Sequence, residues 1–230
     1  MKLSLLASKV RRKFAREGVA GVVAGLRRNL SQRHAADAFD AAHGVDTGGI
    51  AQLWRYTVQA ASAESAETGG AYQAIHESLF RSAMAFLEGR QGEFTLVDIG
   101  TGKGRPLIIG AWLGFRRVIG VEFAVELAEV ARANLATLGI ANGEVVTGDA
   151  ALFGFPREKL VAFLYGGTLD EGILRRVLEN VTRIGPGIEA YLVHTHPVRA
   201  AVLDAHPAFE ADGTSPDGQT RRWRLRLPAP

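Results

Sequence analysis

The 230-residue chain contains no cysteine, which excludes disulfide bridges, zinc–thiolate centres and cysteine nucleophiles. Long apolar runs are also missing. The N-terminal pieces "LSLLA" and "GVAGVVAGL" fall far short of the ~20 residues that cross a bilayer. Charges follow the first of them where a secretion signal would place its cleavage site. A cytoplasmic protein is expected. Acids are scarce in the first 33 residues, where Glu17 alone faces nine lysines and arginines. Because the whole chain carries only +3, the remainder is at −5. The positive charge belongs to an N-terminal arm, expected to contact a partner chain or an anionic surface. No stacking aromatic cluster accompanies these basic residues, which counts against nucleic acid as a substrate.

What is present is the balance of a globular protein, 47% hydrophobic and 22% charged. Residues 1–33 read as one or two helices broken near Gly18 or Gly21. Turn signals follow at Gly44–Gly49 and Ala63–Gly70, with helix-like spacing over Ile50–Ala61 between them and again over Ala71–Gly89. After Gly89 the texture changes. Apolar runs of strand length ("FTLVDIG", "RRVIGVEF", "GEVVTGDA", "KLVAFLYG", "IEAYLVHTH") alternate with amphipathic helices, and "QTRRWRLRL" closes the chain as an alternating strand. Strands almost without polar interruption, separated by helices, indicate a doubly wound α/β domain with a parallel sheet covered on both faces. The organisation expected is a helical arm and lid over 1–90 and a Rossmann-like domain over 91–230.

In such sheets ligands bind beyond the carboxyl ends of the strands, so the loop after the first strand, "VDIGTGKGR", is the place to look. A phosphate-binding P-loop fails twice. Val97 stands where the leading Gly is needed, and Gly104 stands where a magnesium-binding hydroxyl is required. A dinucleotide fingerprint has Arg105 in its third-glycine slot, although Glu122 at the end of the second strand can still grip a ribose. A nicotinamide-dependent oxidoreductase is therefore the runner-up.

The third reading takes in the acids. The run Asp98-Ile99-Gly100-Thr101-Gly102-Lys103-Gly104, followed by Glu122 closing the next strand, resembles the first two motifs of class I S-adenosylmethionine-dependent methyltransferases. Asp98 can attract the ammonium of the donor's amino-acid tail, the glycines let the backbone approach closely, and Glu122 can accept both ribose hydroxyls. Asp149 and Ala150 lie where that family commonly places an acid beside the adenine amino group, with Phe123 or Leu152 against the ring. "FDAAHGVDTGG", "AYQAIHESLF", "VDIGTGKGRPLI" and "FRRVIGVEFAVELAEVARANL" together resemble a small bacterial family within that class, over about residues 39–180. The resemblance implies S-adenosylmethionine as cofactor and a seven-stranded sheet with a terminal antiparallel strand. It also implies an N-terminal helical extension that closes over the cofactor. Tyr72 would then stand near the methionine end, with Asp46 and Thr47 lining the same pocket and Lys103 balancing acids such as Asp98.

The acceptor is expected to be a small molecule. Many relatives have an Asn/Asp-Pro segment at the end of the fourth strand that receives hydrogens from an attacking amine; this chain has Gly166-Gly167. That departure keeps open a methyltransferase-fold binding protein with little or no turnover. Should a base be needed, His194 and His196 at the end of the fifth strand are the best placed, alternating with Thr195 and so expected on one face, and Tyr165 is a second candidate. No third ligand accompanies the two histidines, so no metal is expected.

Overall fold

The computed structural model describes residues 38–52, 56–57, 71–167 and 169–227. The helices expected over 1–33 and the turn at Ala63–Gly70 lie outside the described residues. Helical residues 38–43 lead into a loop and the short strand β1 (Ile50–Gln52), which pairs antiparallel with β2 (Ala71–Gln73). Next come α1 (Glu77–Met84), β3 (Thr95–Ile99), α2 (Arg105–Trp112), β4 (Arg117–Glu122), α3 (Val125–Thr137) and β5 (Gly143–Thr147). The chain continues through β6 (Leu160–Tyr165), α4 (Glu171–Thr182), β7 (Ala190–Thr195), α5 (Ala200–Asp204), β8 (Phe209–Thr214) and β9 (Thr220–Leu225).

Strands β3 to β9 form one sheet in the order β5-β4-β3-β6-β7-β9-β8, all parallel except β9. From β3 the chain winds outward to β5 and then returns to the other side of β3 with β6. This reversal opens a crevice at the carboxyl ends of β3 and β6. Helices cover both faces. Leu96, Val118, Phe163 and Val193 pack with Phe80, Leu107 and Ile108, while Val97, Ile119, Ala162 and Leu192 pack with Leu174, Val177 and Leu203. The two-sided burial is why the central strands read as unbroken apolar runs. Helix α4 shows the complementary pattern, with Ile173, Leu174, Val177, Leu178 and Val181 on one stripe and Asp170 capping its first turn. Among the described residues no helix is long and apolar enough to cross a membrane.

Three local expectations are corrected. The helix expected over Ile50–Ala61 begins instead as β1, and the one expected over Ala71–Gly89 starts only at Glu77, where the His76 ring accepts from Ser78 N. Pairing with β1 overrides the helical spacing of Tyr72 and Ile75. Strand β8 was not anticipated, because Glu210, Asp212 and Gly213 are poor strand formers on an exposed edge. Pairing with β9 recruits them, with a bulge between Ala211 and Gly213.

Trp223 of β9 is fully buried and donates from Nε1 to Asp204 Oδ1 at 2.9 Å. Trp223→Ala is expected to lower stability by about 3–5 kcal/mol, seen in urea as a lower midpoint with an unchanged slope.

Candidate active site

Side chains alternate across a strand, and on β3 and β4 this places Asp98 and Glu122 on the same sheet face as Leu96 and Val118. Both acids are buried. Glu122 accepts from Gly102 N (2.8 Å) through one oxygen and from Ala124 N (2.9 Å) through the other, tying the glycine loop to the end of β4. Burial still pushes its carboxyl up, against the lowering effect of those amides. Asp98 is raised to about 7, first by burial and further by the neighbouring Glu122, and the nearby Thr101 only partly offsets this. Neither Asp98 Oδ2 nor Thr101 Oγ1 makes a well-aligned hydrogen bond, although the two lie near each other and both are buried. A buried polar atom without a well-made hydrogen bond is costly and calls for an explanation.

The loop between them needs glycine for a steric reason. Gly102 has φ +56°, and a Cβ there would fall 2.1 Å from Cε2 of Tyr72, whose ring lies against the loop. Tyr72 is buried and donates its hydroxyl to Thr47 O at 2.6 Å, and burial pushes its phenol far above the usual range.

Thr47 belongs to a cluster centred on Arg105, the residue in the third-glycine slot. The buried guanidinium donates to Thr47 Oγ1 (2.7 Å), Ile75 O (3.3 Å) and Asp40 Oδ1 (3.1 Å), and lies 4.5 Å over the Phe39 ring. Asp40 also accepts from the amides of Thr47 (2.9 Å) and Gly48 (2.6 Å) and from the Thr47 hydroxyl. Thr47 is thereby fully buried within this cluster and does not line the pocket expected of it. Lys103 pairs with Asp46 rather than with Asp98. Asn134 of α3 completes the clamp. Its amide donates to Asp46 O (2.8 Å) and Lys103 O (2.9 Å) and accepts from Asp46 N (3.0 Å). Arg105, Asp40 and Asn134 were not singled out for these roles, yet Asn134 carries a legible signal: it stands on the stripe formed by Leu127, Ala128, Ala131 and Leu135, where an amide must find partners.

After β5, Asp149 caps a 3₁₀ turn over Ala150–Leu152 by accepting from Ala151 N at 2.7 Å; Phe123 is half-buried and Leu152 is 73% exposed. At the other side of the crevice, Tyr165 lies on the face of Phe163, and His194 on the face of Leu164 and Leu192. His196 has φ +54°, which turns it out of the strand, and its ring centroid comes 5.7 Å from that of Tyr165. The two histidines therefore do not share a face. A residue before proline is biased toward extended backbone, so the turn before Pro197 was not legible. Among the described residues no cluster of three or more His, Asp or Glu side chains is arranged for a metal.

No protein-family model matches the chain, and no curated protein matches it in sequence. Solved structures do match. The provisionally assigned methyltransferase yhhF of Escherichia coli aligns with TM-score 0.54 and 16% identity over 66% of this chain and 87% of its own. The mitomycin 7-O-methyltransferase MmcR aligns with TM-score 0.50 and 19% identity over 66% of this chain and 54% of its own. A SAM-dependent methyltransferase of Aquifex aeolicus gives 0.50 and 15% over 64% and 89%. At these identities the likeness establishes the fold, the Rossmann-like sheet of methyltransferases.

Two outcomes are expected. Asp40→Ala strands the buried guanidinium of Arg105 and lowers stability by about 3–5 kcal/mol; a double-mutant cycle with Arg105→Met is expected to recover part of the loss. The raised Asp98 makes a second, pH-dependent contribution. Its neutral form favours the folded chain, so that contribution is complete below the ordinary carboxylate value and is lost as pH rises through about 7. Urea unfolding between about pH 5 and pH 8 should show the wild type losing stability relative to Asp98→Asn as pH rises; parallel profiles would exclude a raised Asp98.

Proposed function

We propose that the protein is an S-adenosylmethionine-dependent methyltransferase acting on a small molecule by in-line methyl transfer. One observation carries the reading: two buried carboxylates flank a glycine loop, and the cations beside that loop are directed elsewhere. Lys103 goes to Asp46 and Arg105 to Asp40 and Thr47, and among the described residues no lysine or arginine pairs with Asp98 or Glu122. A donor that brings an ammonium and a sulfonium supplies the missing charge. Its ammonium suits Asp98 Oδ2, and the Thr101 hydroxyl lies beside it. Each Glu122 oxygen, already holding one amide, retains acceptor capacity for a ribose hydroxyl. In this reading Phe123, Asp149 and Ala150, just beyond β4 and β5, would take the adenine.

The donor supplies an already activated methyl group. The chain's own task is to hold acceptor and methyl aligned, an effect worth up to ~7–11 kcal/mol. The fold supports this reading over the nicotinamide one, as does Arg105, whose guanidinium is committed to Asp40 where a packing glycine would stand.

Calorimetry with the donor and with its demethylated product tests the site. Micromolar binding is expected. It should weaken about 10- to 150-fold in Asp98→Asn, the loss of one charge-assisted hydrogen bond. Because Asp98 must be ionised to hold an ammonium, wild-type affinity should also fall as pH drops below about 7. Equal affinity in wild type and Asp98→Asn would remove Asp98 from the site.

A further inference from the structure

The two histidines at the end of β7 are held in opposite ways. His194 is buried, and its Nε2 donates to Gly166 O at 2.7 Å. A carbonyl can only accept, so the proton sits on Nε2 and the lone pair on Nδ1, which is buried without a partner on the face turned toward Leu174 and Arg199. Burial lowers its tendency to take up a proton. His194 therefore holds the Gly166 turn and lies away from Tyr165.

His196 is only half-buried and is fixed twice by one residue. Its backbone N–H donates to Gln219 O (2.8 Å), and its Nε2 lies 3.0 Å from Gln219 Oε1. An imidazole proton on Nε2 would be held by that amide oxygen and would leave the lone pair on Nδ1. Gln219 is itself held by the β8–β9 turn, where Asp217 accepts from Gln219 N (2.9 Å) and from Ser215 Oγ, and Gly218 N donates to Ser215 O (2.9 Å). Since β9 runs antiparallel to β7, this turn lies at the carboxyl edge of the sheet with the crevice. His196 also bears the left-handed backbone that a non-glycine residue adopts only at some cost, and such positions concentrate at functional sites.

The surroundings indicate what such a lone pair would meet. Tyr165 gives an aromatic wall beside His196, Val198 is 71% exposed, and a Cβ at Gly166 would touch nothing within 4 Å. No side-chain amide is present at Gly166 to receive the hydrogens of an amine. We propose that His196, oriented by Gln219, is the general base for an aromatic hydroxyl acceptor lodged between Tyr165 and Val198 at the ends of β6 and β7. This rests on the methyltransferase reading above. The acceptor's O–H proton passes to His196 Nδ1, and the oxygen forms a bond to the donor's methyl carbon. The carbon–sulfur bond breaks with its electron pair going to sulfur. The products are a methyl ether, a neutral thioether and an imidazolium that loses its proton to water.

Single-turnover transfer of a labelled methyl group to phenol and to 4-nitrophenol tests this at a pH where only the second is ionised. His196→Asn is expected to slow transfer to phenol about 100-fold or more and to leave transfer to 4-nitrophenol nearly unchanged, with donor affinity by calorimetry as in wild type. Gln219→Leu should show the same selective loss more weakly, and Gln219→Glu should retain activity. A readout independent of turnover is the ¹⁵N spectrum of His196, expected to show the proton on Nε2 in wild type and a tautomer mixture in Gln219→Leu. Equal losses on both phenols, no transfer to either while the donor binds, or a proton on Nδ1 would each overturn the base and leave the methyl-donor site standing. Failure of the wild type to bind the donor would overturn both.

Discussion

The arrangement at the crevice depends on one buried cation, Arg105. It opens α2, where the positive end of the helix dipole makes a cation mildly unfavourable, by about 0.3–1 kcal/mol. Asp40 more than offsets this, since removing one member of a buried pair costs several times as much. The same guanidinium reaches Thr47 and the carbonyl of Ile75. Two stretches distant in sequence, 40–48 and the one that ends at Ile75, are thus fastened to the start of one helix, beside Tyr72 over Gly102 and Lys103 turned to Asp46.

The consequence at the glycine loop is electrostatic. Asp98 and Glu122 share a sheet face because both fall on even positions of adjacent parallel strands, with Asp98 opposite Gly120. Buried together, they repel and resist ionisation. A protein can relieve such a pair with its own lysine or arginine, and both candidates here are bound to the segment 40–48 instead. The two acids are left without a cation from that loop.

Much of this was legible in the sequence. Apolar runs of strand length gave the parallel core, and the spacing of Asp98, the glycines and Glu122 located the loop and its acids. What was not legible has physical causes. Ile50–Gln52 and Ala71–Gln73 have helical spacing, but each finds its partner across a gap in sequence, which local periodicity does not encode. Strand β8 exists because β9 offers a pairing edge. Arg105 read as a flaw in a glycine fingerprint because its partner, Asp40, lies 65 residues away. In strands buried on both faces, polar alternation does not report direction, so His194 and His196 looked equivalent until the left-handed turn at His196 separated them.

The clamp also fixes an order of events. Asp40, Thr47 and Gly48 are made before the helix that holds them, and until Arg105 has emerged and α2 has formed, Asp40 has no guanidinium to meet. The first of these segments to be synthesised therefore cannot complete its ion pair until the second has been made. The glycine loop and its two acids are closed over only when the segment 40–48 has folded back onto Lys103 and the start of α2.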